Sequence, residues 1–121
     1  MSEVRVSPRD LGAPGGSEVQ VSLGDEVVVD LPENAGTGYL WSVRRVEGGL
    51  EVTGSAYEPP GRPLPGAGGR RVVRVRPTEV GEGLVHLVLK RPWEDEVRDR
   101  LSLRVTTGRS RAPSRPPPRG R

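Results

Sequence analysis

EVQVSLGDEVVVDL, residues 18–31, holds two short runs in which valine or leucine recurs at every second position, separated by the pair Gly24–Asp25. A period of two is the signature of a half-buried strand, and β-branched residues fit the pleated surface. Val19, Val21 and Leu23 share one face of the first run, and Gly-Asp between two such runs reads as a hairpin turn. The same pattern recurs outward from this segment. YLWSVRRV (39–46) sets Trp41 and Val43 inward against Leu40, Ser42 and Arg44. A short strand over 50–53 precedes an irregular stretch over 54–69, long enough to require a functional explanation. RRVVRVRP (70–77) alternates Val73 and Val75 with Arg74 and Arg76, and Pro77 closes it. GLVHLVLKRPW (83–93) is almost continuously apolar, as in a central strand, with Val85, Leu87 and Leu89 inward. RLSLRVTT (100–107) adds Leu101, Leu103 and Val105.

No window carries a helical period. The expected fold is therefore all-β, a sandwich or closed barrel of immunoglobulin size built from seven or eight short antiparallel strands. A chain of 121 residues has room for one modest core. With no Phe and no Cys, that core must be aliphatic and without disulfides, and Trp41, in phase with Val43, is its expected large filler. The expected domain spans 1–107. The remainder, GRSRAPSRPPPRGR (108–121), holds five arginines and no acid and is expected to be a disordered basic tail; without it the net charge of +3 becomes −2. The N-terminus shows no apolar leader and no segment approaches the roughly 20 apolar residues of a membrane span, so the literal expectation is a cytoplasmic protein, with export left open.

Catalytic chemistry is thinly supplied. The only histidine, His86, lies out of phase with the core face of its strand, and no partner that would orient it as a base is evident. The run Glu94, Asp95, Glu96 and Asp99 reads as a solvated hairpin tip. GAGG (66–69) resembles a phosphate cradle in composition alone, since a strand rather than a helix follows it. No catalytic residue, cofactor or metal site is expected.

Three short segments act together instead: NAGTGYLW (34–41), GAGG (66–69) and KRPWE (90–94). In this order they resemble the chagasin-type inhibitors of papain-like cysteine peptidases, whose pattern is an Asn-Pro-Thr-Thr-Gly-Tyr-x-Trp loop, a Gly-x-Gly-Gly loop and an Arg-Pro-Trp loop. The resemblance spans roughly residues 17–107. It implies an immunoglobulin-like β-sandwich, a protein that is not an enzyme, and a reversible, competitive inhibitor that fills the peptidase cleft with three loops at one end of the sandwich. It implies as contact residues Asn34, Thr37 and Gly38 over the catalytic cysteine, Gly66, Gly68 and Gly69 on one flank, and Arg91, Pro92 and Trp93 on the other. The implied partner is a papain-like cysteine peptidase bound by a monomer, with no membrane and no nucleic acid involved. The sequence departs from the family where Ala35 and Gly36 replace Pro and Thr. The tip is therefore expected to be looser, at a cost of about 1 kcal/mol in affinity. That departure also keeps a second reading in play, a non-inhibitory immunoglobulin-like module whose loops recognise another protein or a glycan.

Overall fold

The computed structural model describes residues 2–7, 17–61 and 68–109. Eight strands follow in chain order: β1 (Glu3–Val6), β2 (Ser17–Ser22), β3 (Glu26–Glu33), β4 (Leu40–Glu47), β5 (Leu50–Glu58), β6 (Gly69–Pro77), β7 (Gly81–Lys90) and β8 (Asp99–Gly108). The only helical element among the described residues is one 3-10 turn, Ala35–Thr37, between β3 and β4. Two four-stranded sheets form, sheet A in the order β1-β3-β6-β5 and sheet B in the order β2-β8-β7-β4. The sandwich architecture matches the alternation in the sequence. Of the basic tail only Gly108 and Arg109 fall within the described residues.

Three local expectations are corrected. The runs on either side of Gly24–Asp25 do not pair as a hairpin: β2 pairs with β8 and β3 with β6 and β1, in opposite sheets. Each run has one apolar face, and both faces are buried when the turn carries the chain from one layer to the other so that Val21 faces Val27, Val29 and Leu31 across the core. Asp25 fixes that turn, its carboxylate accepting the Ser22 N–H at 3.0 Å. Second, the sheets are mixed rather than wholly antiparallel, because β1 lies parallel to β3 and β2 parallel to β8. β1 itself had no sequence signal beyond Val4 and Val6. Third, the strand expected over 50–53 continues to Glu58. Its register slips between Val52 and Gly54, and it lies at the edge of sheet A with most side chains exposed, so no apolar alternation marks its second half.

The core is aliphatic with one aromatic. Val27, Val29 and Leu31 of β3 and Val73 and Val75 of β6 face Val85, Leu87, Leu103, Val105 and Trp41 of sheet B. Removing each such valine or leucine from water stabilises the fold by about 1.5–3 kcal/mol. On the outer face of sheet A, charge pairing covers the buried Val28 and Val72. Arg70 bridges Glu58 and Asp30, Arg74 bridges Glu3 and Glu26, and Arg76 meets Glu51. Donating hydrogen bonds to Glu58, Glu3 and Glu51 respectively raises the pKa of these three guanidiniums above its usual value.

Register gathers the recognition segments. Glu33 at the end of β3 lies opposite Gly69 at the start of β6, and Leu40 at the start of β4 lies opposite Lys90 at the end of β7. The β3–β4, β5–β6 and β7–β8 connections therefore emerge at one end of the sandwich.

Candidate functional site

The β3–β4 connection is a closed turn. Asn34 precedes it with extended backbone (φ −106°, ψ 106°) and its Oδ1 accepts the Gly36 N–H at 3.0 Å, the usual role of Asn at a helix start. The Thr37 N–H and hydroxyl both donate to the Asn34 carbonyl, at 3.1 and 2.8 Å. Thr37 Oγ1 then accepts the Tyr39 N–H at 3.3 Å, and the Gly38 N–H reaches the Ala35 carbonyl at 3.2 Å. Gly38 adopts φ +82°, a conformation that disfavours any side chain. A Cβ at Gly38 would also sit 2.8 Å from Cη2 of Trp93, so the indole of the β7–β8 connection lies directly on this glycine.

Arg91 ties the two connections together. Its Nε–H donates to the Thr37 carbonyl at 3.0 Å, and its guanidinium lies 4.3 Å from the Tyr39 ring centroid. Glu94 completes the grip at 3.4 Å, while Lys90 Nζ donates to the Arg91 and Glu94 carbonyls at 3.0 and 2.6 Å and holds the Arg91–Glu94 turn closed. Trp93 is nonetheless 71 % exposed, which is unusual for so large an apolar group. Pro92 beside it is exposed too. On the other flank Gly68 is exposed and close to Asn34, whereas Gly69 is buried as the first residue of β6, where a Cβ would run into the Tyr57 hydroxyl and the Glu58 carbonyl. Gly66 lies outside the described residues. Thus Asn34, Thr37, Gly38, Arg91, Pro92, Trp93 and Gly68 come together at one end, with Gly69 at the base of the same end as a packing residue.

Beneath this end lies a polar group that sequence reasoning missed. Glu33 is buried with no side-chain exposure, and its carboxylate accepts the Trp41 N–H at 2.7 Å and the Arg71 Nε–H and Nη2–H at 3.2 and 2.8 Å. Trp41 Nε1–H donates to the Pro32 carbonyl at 3.0 Å. Arg71, 15 % exposed, stands 6.0 Å from the Tyr57 ring centroid. These bonds join β3 and β6 of sheet A to β4 of sheet B just below the turn. A signal existed: Glu33 continues the inward phase of Val27, Val29 and Leu31, and Arg71 that of Val73 and Val75, so opposite charges close the same end of two core faces. Arg98, whose guanidinium lies 5.0 Å from the Tyr39 ring centroid, was likewise not anticipated.

Known proteins share both the sequence and the fold of this chain. Chagasin from Trypanosoma cruzi is 32 % identical over 95 residues, covering 72 % of this chain and 84 % of that protein. Amoebiasin-1 from Entamoeba histolytica is 29 % identical over 82 residues, covering 68 % of this chain and 80 % of its own. In fold, the crystal structure of the cysteine protease inhibitor EhICP2 from Entamoeba histolytica superposes with a TM-score of 0.74 at 19 % identity, over 88 % of this chain and 96 % of that one. Residues 20–106 match the family model described as chagasin family peptidase inhibitor I42. With most of its length matched by that model and its strands forming a two-sheet sandwich, the chain belongs to the chagasin family of peptidase inhibitors.

Proposed function

We propose that the protein inhibits papain-like cysteine peptidases reversibly and competitively, by lodging the Asn34–Gly38 turn over the catalytic cysteine with the Gly68 and Trp93 flanks in the cleft on either side. The observation that carries this reading is the exposed Trp93 resting on Gly38 beside a turn closed by its own hydrogen bonds.

A peptidase attacks a carbonyl only when it is held in near-attack geometry. The 3-10 turn curls its carbonyls inward: those of Asn34 and Ala35 accept turn bonds and that of Thr37 accepts Arg91. Such a turn can approach the nucleophile closely without offering an extended scissile bond. Gly36 and Gly38 keep its profile narrow. Trp93 supplies a rigid apolar plate of the kind that dominates binding energy at interfaces. Because Arg91 already spans Thr37, Tyr39 and Glu94, its role is to set the Trp93 loop against the tip before the peptidase arrives, which lowers the ordering cost of binding. Asn34 acts in the same way, as the cap of the turn.

The test is a fluorogenic-substrate assay with papain. Micromolar protein should suppress turnover, raising KM with kcat unchanged, and activity should return in full on dilution. Trp93→Ala should weaken inhibition at least tenfold, as truncation of a central aromatic anchor does. Undiminished papain turnover in the presence of the native protein, together with no difference for Trp93→Ala, would overturn the reading for this class of peptidase.

A further inference from the structure

Away from the loops, the outer face of sheet B carries a second feature that inhibition does not use. In β4 the register passes from Val43 opposite Leu87 to Arg45 opposite His86, leaving Arg44 as an extra residue. A bulge of this kind turns consecutive side chains toward the same side. Arg44 and Arg45 are both exposed, and both line an open depression of about 510 Å³ shared with Glu47, His86, Val88, Arg100 and Ser102; Glu47 there is taken up by Arg45 and His86. Val88, on the outward phase of β7 yet 5 % exposed, gives the depression an apolar floor.

The positive charge around this depression is only partly compensated. On sheet A each of Arg5, Arg70, Arg74 and Arg76 meets a carboxylate, and on sheet B Arg104 meets Glu82 and Arg45 meets Glu47, itself at the depression. Neither the Arg44 nor the Arg100 guanidinium has a carboxylate partner among the described residues; the Asp99 side chain takes the Arg100 backbone N–H instead. Among the described residues two guanidinium forks without such a partner thus flank one depression. His86 stands between them, pinned by Glu47 Oε2 at 3.0 Å from Nε2 and by Ser102 Oγ at 3.1 Å from Nδ1.

We propose that this depression is a seat for a tetrahedral oxyanion, a phosphate or sulfate monoester, gripped by Arg44 and Arg100 and resting on Val88 next to the His86–Ser102 pair. The planar guanidinium presents paired N–H donors at the spacing of two oxyanion oxygens, and such charge-assisted bonds are about twice as strong as neutral ones. An anion between the two forks removes their mutual repulsion as well as satisfying their donors. The apolar floor gives the organic part of a monoester a surface to lie on. The seat lies on the outer face of the sheet, so its occupancy leaves the loop end free.

His86 is the sole histidine, and the basic C-terminal segment contains none, so its ring C–H resonances are a local probe of the depression. The experiment titrates the full chain with inorganic phosphate and with inorganic sulfate at fixed pH, against sodium chloride at equal ionic strength. A saturable shift of the His86 signals in the low-millimolar range, absent with chloride, is expected. Arg44→Gln and Arg100→Gln, both at exposed positions, should each weaken it about tenfold, the loss of one charge-assisted pair. A sugar phosphate and a sugar sulfate then separate the sources: the tighter of the two identifies the ester. Papain inhibition by either variant should equal that of the native chain. A shift that follows chloride equally, or one unchanged in both variants, would overturn the proposal.

Discussion

Replacing Glu33 by alanine tests how the two sheets are held together under the loop end. The carboxylate accepts three hydrogen bonds, one from the Trp41 backbone and two from the Arg71 guanidinium, and none of its surface meets solvent. Its removal strands a guanidinium that is only 15 % exposed and leaves the Trp41 N–H without its acceptor. Removing one partner of a fully buried pair costs about 3–5 kcal/mol, and a buried orphan N–H about 1–3 kcal/mol. Arg71 can recover some hydration through its exposed edge, so the lower ends apply, about 4 kcal/mol in total. Urea unfolding followed by Trp fluorescence should show this as a midpoint lowered by roughly 2 M. Glu33→Gln keeps the volume and one acceptor oxygen, and should cost about half as much. In a double-mutant cycle with Arg71→Ala, the pair should lose about 2 kcal/mol less than the sum of the single losses. An alanine variant within about 1 kcal/mol of the native protein, or a coupling energy near zero, would refute the assignment of this pair as the inter-sheet link.

Gly38→Ala should weaken papain inhibition and cost about 1–2 kcal/mol in stability, because the new Cβ is strained at φ +82° and displaces Trp93; paired inhibition and denaturation curves check both effects. Arg91→Lys retains the charge but loses the Nε–H bond to Thr37 and the planar stack on Tyr39. It should lower the association rate constant severalfold in stopped-flow measurements while leaving the unfolding midpoint nearly unchanged. The two departures at the tip should act in opposite directions. Ala35→Pro follows an extended Asn34 and opens a 3-10 turn, a position that accepts proline, and should tighten inhibition by about 0.5–1 kcal/mol. Gly36→Thr brings a Cβ within 3.2 Å of Asn34 Oδ1, against the very atom that caps the turn, and should cancel that gain when inhibition constants of the single and double variants are compared.

What the residues revealed in advance follows from which interactions are periodic. Val27, Val29 and Leu31, or Leu103 and Val105, declare their faces because an apolar side chain at every second position has one sensible destination. That logic is blind to the partner strand. Gly24–Asp25 is as compatible with a turn within a sheet as with a step between sheets, and only the need to bury two apolar faces against each other selects the latter. β1 and the second half of β5 lie at sheet edges where little is buried, so backbone pairing rather than side-chain pattern makes them strands. At the loop end, Asn34, Thr37, Gly38 and Trp93 were legible as a group because the family resemblance rests on short contiguous motifs. The support given by Glu33, Arg71 and Arg98 is not local: Glu33 and Arg71 meet across 38 positions of chain. Gly69, named through the same resemblance, also opens β6 where no Cβ fits beside Tyr57 and Glu58, a packing demand that its motif does not announce.

The parallel pairing of β2 with β8 also sets an order of events in assembly. Six strands, β3 to β8, connect one to the next through turns and loops, whereas β1 and β2 form an arm that adds one strand to the margin of each sheet. The β2 partner is β8, so Val19 and Val21 leave the ribosome long before Val105 and Thr107, with which they pair. Pairings between such distant positions form late and slowly, because the loop they close must be ordered first. β2 therefore docks only after β8 is available. A nascent chain halted before residue 99 would expose both the unpaired β2 and the open flank of β7, and β8, lying between them, is the strand that joins the two.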